Sequence, residues 1–208
     1  MIKEDIVIVI INCEKYKWRR ELQQEWLSRM KNITYYYIIG SSEKCGEQKY
    51  LFEEKTLYVN EPDDYISLPK KVIGAFRAIH ENYDYKYIIK MDDDLILRIP
   101  SFFDMLYKHL LSNNNHYGGK AVKVKDHISQ HNLVNPLCPK GLFLEGTIYC
   151  GGSFYFLSKE ALLHIFKYEK EIRERIIEDH AIGYYLNDRF KKNLLQIDVH
   201  RIFSNITS

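Results

Sequence analysis

Apolar and polar positions along this chain follow two periods, one of strands and one of helices. Ile6-Val7-Ile8-Val9-Ile10-Ile11 is an unbroken β-branched run, which fits a strand covered on both faces, as in a parallel α/β sheet. Asn12 and Cys13 end it, and Trp18, Leu22, Trp26, Leu27 and Met30 then recur at helical spacing with Arg19, Arg20, Gln23 and Gln24 between them. That spacing predicts an amphipathic helix. Ile33 to Ile39 returns to strand character and stops at Gly40. Strand, helix and strand in this order form a βαβ unit, whose ligands bind at the carboxyl ends of the strands, where Asn12 falls.

Residues 41–55 read as loop, and Thr56-Leu57-Tyr58-Val59 as a short strand. Val72, Ile73, Phe76, Ala78 and Ile79 mark a helix running to about Asn82, with Pro69 in its first turn, where proline is tolerated. The helix leads into Lys86-Tyr87-Ile88-Ile89-Lys90-Met91, a strand that ends on Asp92-Asp93-Asp94. A short strand Leu95-Ile96-Leu97, a helix opened by Pro100 and a weaker strand Tyr117 to Val124 follow.

From Lys125 to Gly146 the periodicity dissolves into His, Asn, Pro and Gly. A long irregular stretch inside a compact domain is usually functional, so this is a candidate acceptor loop or lid. Its His127 and His131 fit exposed loop positions better than ligand positions. Gly151 and Gly152 precede an alternating aromatic strand, where glycine either permits close approach to a ligand or forms a bulge. Ser158 caps a helix over 159–168, and Glu178-Asp179-His180 heads another that holds Ile182, Tyr185 and Leu186. An acidic pair there is favourable on dipole grounds alone. Leu194 to Val199 reads as a further strand with His200 at its end.

At 208 residues, 46% hydrophobic and 28% charged, the chain fits one domain. A net charge of +2 without any long Lys/Arg block argues against a nucleic-acid partner or a strong membrane-surface footprint. Four cysteines far apart, with no Cys-x-x-Cys pair, suggest neither a zinc site nor a disulfide framework. The run Ile6–Ile11 is too short to span a bilayer or to form a signal-peptide core. The expectation is a cytoplasmic chain, complete in itself or one domain of a larger protein.

The Asp triplet carries the chemistry. Adjacent carboxylates repel one another and Asp suits a strand interior poorly, so the triplet is either a solvated acidic turn or a cation site. Mg²⁺ and Mn²⁺ are the natural candidates, because hard ions reach a protein through one or two carboxylates while substrate phosphates fill the other positions.

Taken in order, these pieces resemble the β-1,3-glycosyltransferases related to Fringe and the β-1,3-galactosyl- and N-acetylglucosaminyltransferases. Arg19-Arg20 with Trp26 is similar to that family's paired arginines and following tryptophan. Asp63-Asp64-Tyr65 through Lys70-Lys71 resembles its Asp-Ser-Tyr-x-Asn-Leu-Thr-Leu-Lys segment, and Tyr87 to Asp94 its Tyr-Val-Leu-Lys-Thr-Asp-Asp-Asp pattern. Cys150 to Ser158 resembles Cys-Ser-Gly-Gly-Gly-Tyr-Val-Leu-Ser, and Glu178-Asp179 with Gly183 resembles Glu-Asp-Val-x-x-Gly. Ser153 and Phe154 replace two of the family glycines, which is expected to narrow the space near the sugar or acceptor, and His180 replaces the usual valine.

The resemblance implies a GT-A fold, a central mostly parallel sheet flanked by helices, in one domain with about residues 1–95 as a nucleotide-binding half and about residues 96–208 as an acceptor-binding half. It also implies inverting, metal-dependent transfer of a sugar from a nucleoside-diphosphate sugar, a UDP-sugar in the first instance, to a glycan acceptor. Asp94 would be the principal Mn²⁺ or Mg²⁺ ligand, with Asp92 or Asp93 on ribose or metal-bound water, and Asp92 and His200 as further metal ligands. Asp179 would be the general base, with Glu178 as the neighbour sharing it. Asn12 and Arg19 would line the nucleotide pocket beside Gly151 and Gly152, and Lys71 would contact the nucleotide or pair with the triplet. The rival classes are a metal-dependent phosphoesterase or nucleotidyltransferase, which would show more carboxylates or a phosphate-cradling loop, and a catalytically silent sugar-binding module. No Gly-x-x-x-x-Gly-Lys-Ser/Thr pattern occurs.

Overall fold

The computed structural model describes residues 1–30 and 33–206. An eight-stranded sheet runs in the order Leu195–Gln196, Tyr117–Val124, Thr147–Ser158, Tyr87–Asp92, Ile6–Ile11, Thr34–Gly40, Thr56–Val59 and Tyr50–Glu53. Tyr87–Asp92, Ile6–Ile11, Thr34–Gly40 and Thr56–Val59 pair in parallel. Thr147–Ser158 joins Tyr87–Asp92 antiparallel, and Tyr50–Glu53 closes the other edge antiparallel.

The run of six β-branched residues lies at the centre, buried throughout. Its side chains alternate between the faces as a strand requires. Val7, Val9 and Ile11 join a core with the helix Leu68–Asn82, while Ile6, Ile8 and Ile10 join a second core with Trp26, Phe102 and Phe103. Helices therefore cover both faces, and the parallel strands deliver Asn12, Gly40 and the Asp triplet to one rim.

Several boundaries differ from the sequence reading. Residues 41–55 contain a one-turn helix, Ser42–Cys45, and the edge strand Tyr50–Glu53, whose mixed composition hid its pairing. The segment 125–146 is closed at its base by the two-residue strands His127–Ile128 and Phe143–Leu144. The strand expected over 194–199 is only Leu195–Gln196. The Asp198 side chain then caps a one-turn helix, Val199–Ile202, by accepting from the Arg201 N–H at 3.2 Å. His200 thus sits on a helical turn and not at a strand end. Phe203–Asn205 pairs antiparallel with Leu95–Leu97, and the Ile206 N–H bonds the Asp94 carbonyl at 2.7 Å, so the turn of the triplet is held by a distant segment.

Candidate active site

Tyr87–Met91, the body of the strand that ends on Asp92, is buried throughout and apolar except for Lys90, a lysine only 1% exposed. A buried ammonium survives only where anions surround it. Here Lys90 Nζ lies 2.6 Å from Asp92 Oδ1, 3.8 Å from Glu178 Oε2, and donates to the Gly152 carbonyl. Burial opposes the charge, but Asp92 and Glu178 overcome it and hold the Lys90 pKa up at about 12. One lysine therefore joins the triplet, the glycine pair and the acidic helix head. Its role was not anticipated, although the signal was present: it is the one charged residue inside an apolar strand.

The acidic pair divides its work. Glu178 is 3% exposed, accepts from the Tyr155 hydroxyl, and has its pKa pushed up to about 7, chiefly by burial, with Lys90 opposing. Asp179 is half-buried; its Oδ1 accepts from the His180 N–H at 2.8 Å and its Oδ2 from the Gly152 N–H at 2.6 Å. Burial raises its pKa against the pull of Lys90 and these N–H groups. Asp179 is thus a fixed carboxylate shifted toward basicity and still open to solvent, whereas Glu178 is locked inside.

Glycine at 152 has a reason. The ladder with Tyr117–Val124 breaks between Cys150 and Tyr155, a bulge, and a Cβ on Gly152 would stand 3.2 Å from Asp179 Oδ2. Close approach and bulge are one feature here. At Gly183 a Cβ would come within 2.2 Å of Tyr149 Cβ, so this glycine lets the helix Glu178–Tyr185 lie against the strand Thr147–Ser158. The Phe154 ring is fully buried among Phe102, Phe103 and Phe203, so it does not narrow the cleft as expected. The strand's alternation turns it toward the core. His180, also buried, bonds the Glu145 carbonyl through Nε2 at 2.8 Å, a contact valine could not make.

On the other side of the triplet, Asp93 is 6% exposed and both its oxygens are taken. Asn12 Nδ2 donates to Oδ2 and Arg19 Nη1 to Oδ1, each at 2.6 Å. Asn12 in turn accepts from Arg20 Nε at 3.0 Å. Lys71 Nζ bonds the Asn12 carbonyl and Asp63 Oδ1, both at 2.9 Å. The ion pair expected between Lys71 and the triplet is therefore made with Asp63, which also accepts from the Gly40 N–H at 3.1 Å and belongs to the segment leading into Lys71's own helix. Buried Arg19 Nε and Arg20 Nη2 have no protein partner among the described residues.

Asp94 is half-buried, and no other side chain bonds its carboxyl among the described residues. Burial raises its pKa, and repulsion from Asp92 and Asp93 raises it further, the condition a cation would relieve. Asp94 and the second oxygen of Asp92 are hard donors that suit Mg²⁺ or Mn²⁺. Among the described residues no group of three or more His, Cys, Asp or Glu is placed to hold a metal, so a cation here would draw its remaining ligands from phosphate or water. His200 is not brought into a protein-only ligand set with the triplet; its Nε2 lies 2.7 Å from Lys120 Nζ.

Tyr65 and the 125–146 segment also reach the site. Tyr65 stacks on His131 and shares a 2.5 Å hydrogen bond with its Nε2. Its pKa is raised to about 12 by burial first, with Asp179 and Asp92 contributing and Lys90 opposing. The irregular segment is thus fastened through His131 to Tyr65, whose hydroxyl feels the charge of both carboxylate groups.

A family model described as galactosyltransferase matches residues 17–192. The chain is 25% identical over 146 residues to a probable beta-1,3-galactosyltransferase 12 of Arabidopsis thaliana, covering 64% of this chain and 37% of that protein. It is 26% identical over 151 residues to a UDP-GalNAc:beta-1,3-N-acetylgalactosaminyltransferase 1 of Sus scrofa, covering 66% of this chain and 40% of that protein. It thus matches about two fifths of the length of these relatives. Among solved structures, a glycosyltransferase involved in glycosylation of the PBCV-1 major capsid superposes with a TM-score of 0.54 at 14% identity, covering 98% of this chain and 95% of that one. A 2-C-methyl-D-erythritol 4-phosphate cytidylyltransferase of Francisella tularensis gives 0.53 at 12% identity, covering 99% and 95%, so the likeness in shape extends to nucleotidyltransferases and speaks for fold alone. With the ordered motifs, the GT-A sheet and the family match in agreement, the chain belongs to the galactosyltransferase family.

Proposed function

We propose that this chain transfers a hexose from a nucleoside-diphosphate sugar, a UDP-sugar in the first instance, to a hydroxyl of a carbohydrate acceptor, with inversion at the anomeric carbon. The observation that carries the reading is the placement of Lys90, within 3.8 Å of both Asp92 and Glu178, which sets the triplet and the acidic pair on one site. Transfer needs both ends: the departing diphosphate must be neutralised, and the attacking hydroxyl must lose its proton.

At the acceptor end Asp179 is the general base. Its side chain is oriented by two backbone N–H groups and its basicity is raised by burial, whereas Glu178 holds Lys90 and Tyr155 in place. At the donor end Asn12, Arg19 and Asp93 form a preassembled wall for the nucleoside. Asp94 and Asp92 would hold Mn²⁺ or Mg²⁺. Bound there, the metal would supply Lewis-acid neutralisation of the diphosphate.

A thermal-shift titration with UDP, other nucleoside diphosphates and free sugars, with and without Mn²⁺, tests the reading. A transferase responds to a nucleoside diphosphate in a metal-dependent way that Asp94→Ala abolishes. A response to free sugars alone would favour a silent sugar-binding module, and no metal dependence would remove Asp94 and Asp92 from the role given them.

A further inference from the structure

The excursion between His127 and Leu144 is folded the wrong way round for an isolated loop. Ser129, Cys138 and Leu144 are buried, while Leu133 is 76% exposed, Val134 82% and Leu137 64%, with Ile128 and Phe143 also exposed. Ile128 and Phe143 are directly paired across the antiparallel base, so their side chains share one face. Scattered exposed apolar residues need no explanation, but a cluster on one excursion does.

Charge around the cluster is one-sided. Residues 127–144 contain Lys140 and no Asp or Glu. At the base, a cleft of about 780 Å³ is lined by Lys123, Lys125, Lys191 and Lys192 against Asp126 and Asp188. Lys191, nearly buried, pairs with Asp188 at 3.4 Å, which leaves the exposed Lys123, Lys125 and Lys192 against Asp126, whose Oδ1 accepts from the Gly146 N–H at 2.6 Å. The chain-wide charge of +2 conceals this local polarity. An apolar tip above a lysine-lined base is the arrangement that binds an anionic bilayer surface, where apolar side chains enter the headgroup boundary and lysines meet lipid phosphates. A folded protein partner is less well matched, because a standard interface takes roughly 20–30 residues a side and the whole excursion offers five large apolar side chains.

We propose that the 127–144 excursion docks this chain on an anionic lipid surface, its apolar tip inserted and the lysines at its base against the headgroups. His131, fastened to Tyr65, ties the docked segment to the candidate active site and would hold that site facing the surface. The proposal stands apart from the transfer reading, since vesicle binding requires neither nucleotide nor turnover.

Co-sedimentation of the whole chain with vesicles of phosphatidylcholine alone and of phosphatidylcholine with phosphatidylglycerol tests it. Binding to the phosphatidylglycerol vesicles is expected, weakened by salt because the lysine contribution is screened. The variant Leu133→Ser/Val134→Ser/Leu137→Ser should bind at least about tenfold more weakly, with melting temperature and nucleotide response unchanged, because all three side chains are exposed. Lys123→Gln/Lys125→Gln should lose mainly the salt-sensitive part. Wild-type protein remaining in the supernatant with phosphatidylglycerol vesicles, or a triple variant that binds as wild type does, overturns the proposal. So does a dimer in solution that the triple variant abolishes while no vesicle binding is seen, which would make a second copy the cover.

Discussion

Lys90 Nζ stands 3.8 Å from Glu178 Oε2, and both side chains are almost wholly buried. This pair connects segments far apart in the chain and faces little competing solvent. Lys90→Met should leave Glu178 and Asp92 without their cation and destabilise the protein by about 3 kcal/mol or more, the usual cost of an uncompensated buried charge. The penalty should shrink at pH 5, where Glu178 can take up a proton. Urea unfolding of the variant at pH 5 and pH 8 checks both parts, and equal losses at the two pH values would contradict the pairing.

Glu178 also predicts a pH dependence of the native protein. Its folded pKa of about 7 lies above its ordinary 4.5, so the folded chain holds this proton more tightly than the unfolded one. Its contribution to stability is fully present below pH 4.5 and is lost as the pH rises through 7. The loss amounts to about 3 kcal/mol. Glu178→Gln should flatten the stability profile over that window in denaturant titrations, while a profile as steep as wild type would place the titration elsewhere.

Asp179→Asn should lower transfer by ~10²–10⁴-fold and leave the nucleotide-induced thermal shift in place, since the amide keeps the shape and loses the base. In the wild type, turnover should fall as the pH drops through the Asp179 pKa, at a pH above the ordinary Asp range because burial raises that value. Normal turnover by the variant would transfer the role to another group.

Gly183→Ala should behave as a folding mutation. The new methyl would meet Tyr149 Cβ at 2.2 Å and Cα at 2.7 Å, and neither atom can yield without moving the strand. Destabilisation of about 3 kcal/mol is expected, the upper end for an overpacked core, read as a lower melting temperature. Because the displaced helix carries Asp179, activity should fall along with stability.

Much of this arrangement was legible in the chain. The βαβ opening, the strand ending on the triplet and the acidic helix head announce themselves through period and punctuation, because burial on both faces demands β-branched runs and carboxylates collect at their ends. Lys90 and Tyr155 were legible as strand residues and not as site residues: a single buried ion pair leaves no periodic trace, and its partner Glu178 lies far along the chain. Arg20, Asp63 and Tyr65 stood out as motif residues, but their partners were hidden in the same way, since each acts through contacts with residues distant along the chain. The strand assigned to 194–199 failed for a local reason, a helix cap at Asp198 within an apolar stretch. Phe154 failed because a glycine-to-aromatic change reads as obstruction until the face it occupies is known.

The pairing of Leu95–Leu97 with Phe203–Asn205, and of Asp94 with Ile206, has a bearing on biosynthesis. The turn that carries the triplet leaves the ribosome early and must wait for residues 203–206 before its flanking ribbon can form. Contacts of such long sequence separation close late. A nascent chain would therefore close the ribbon beside the triplet only after most of its sheet has formed.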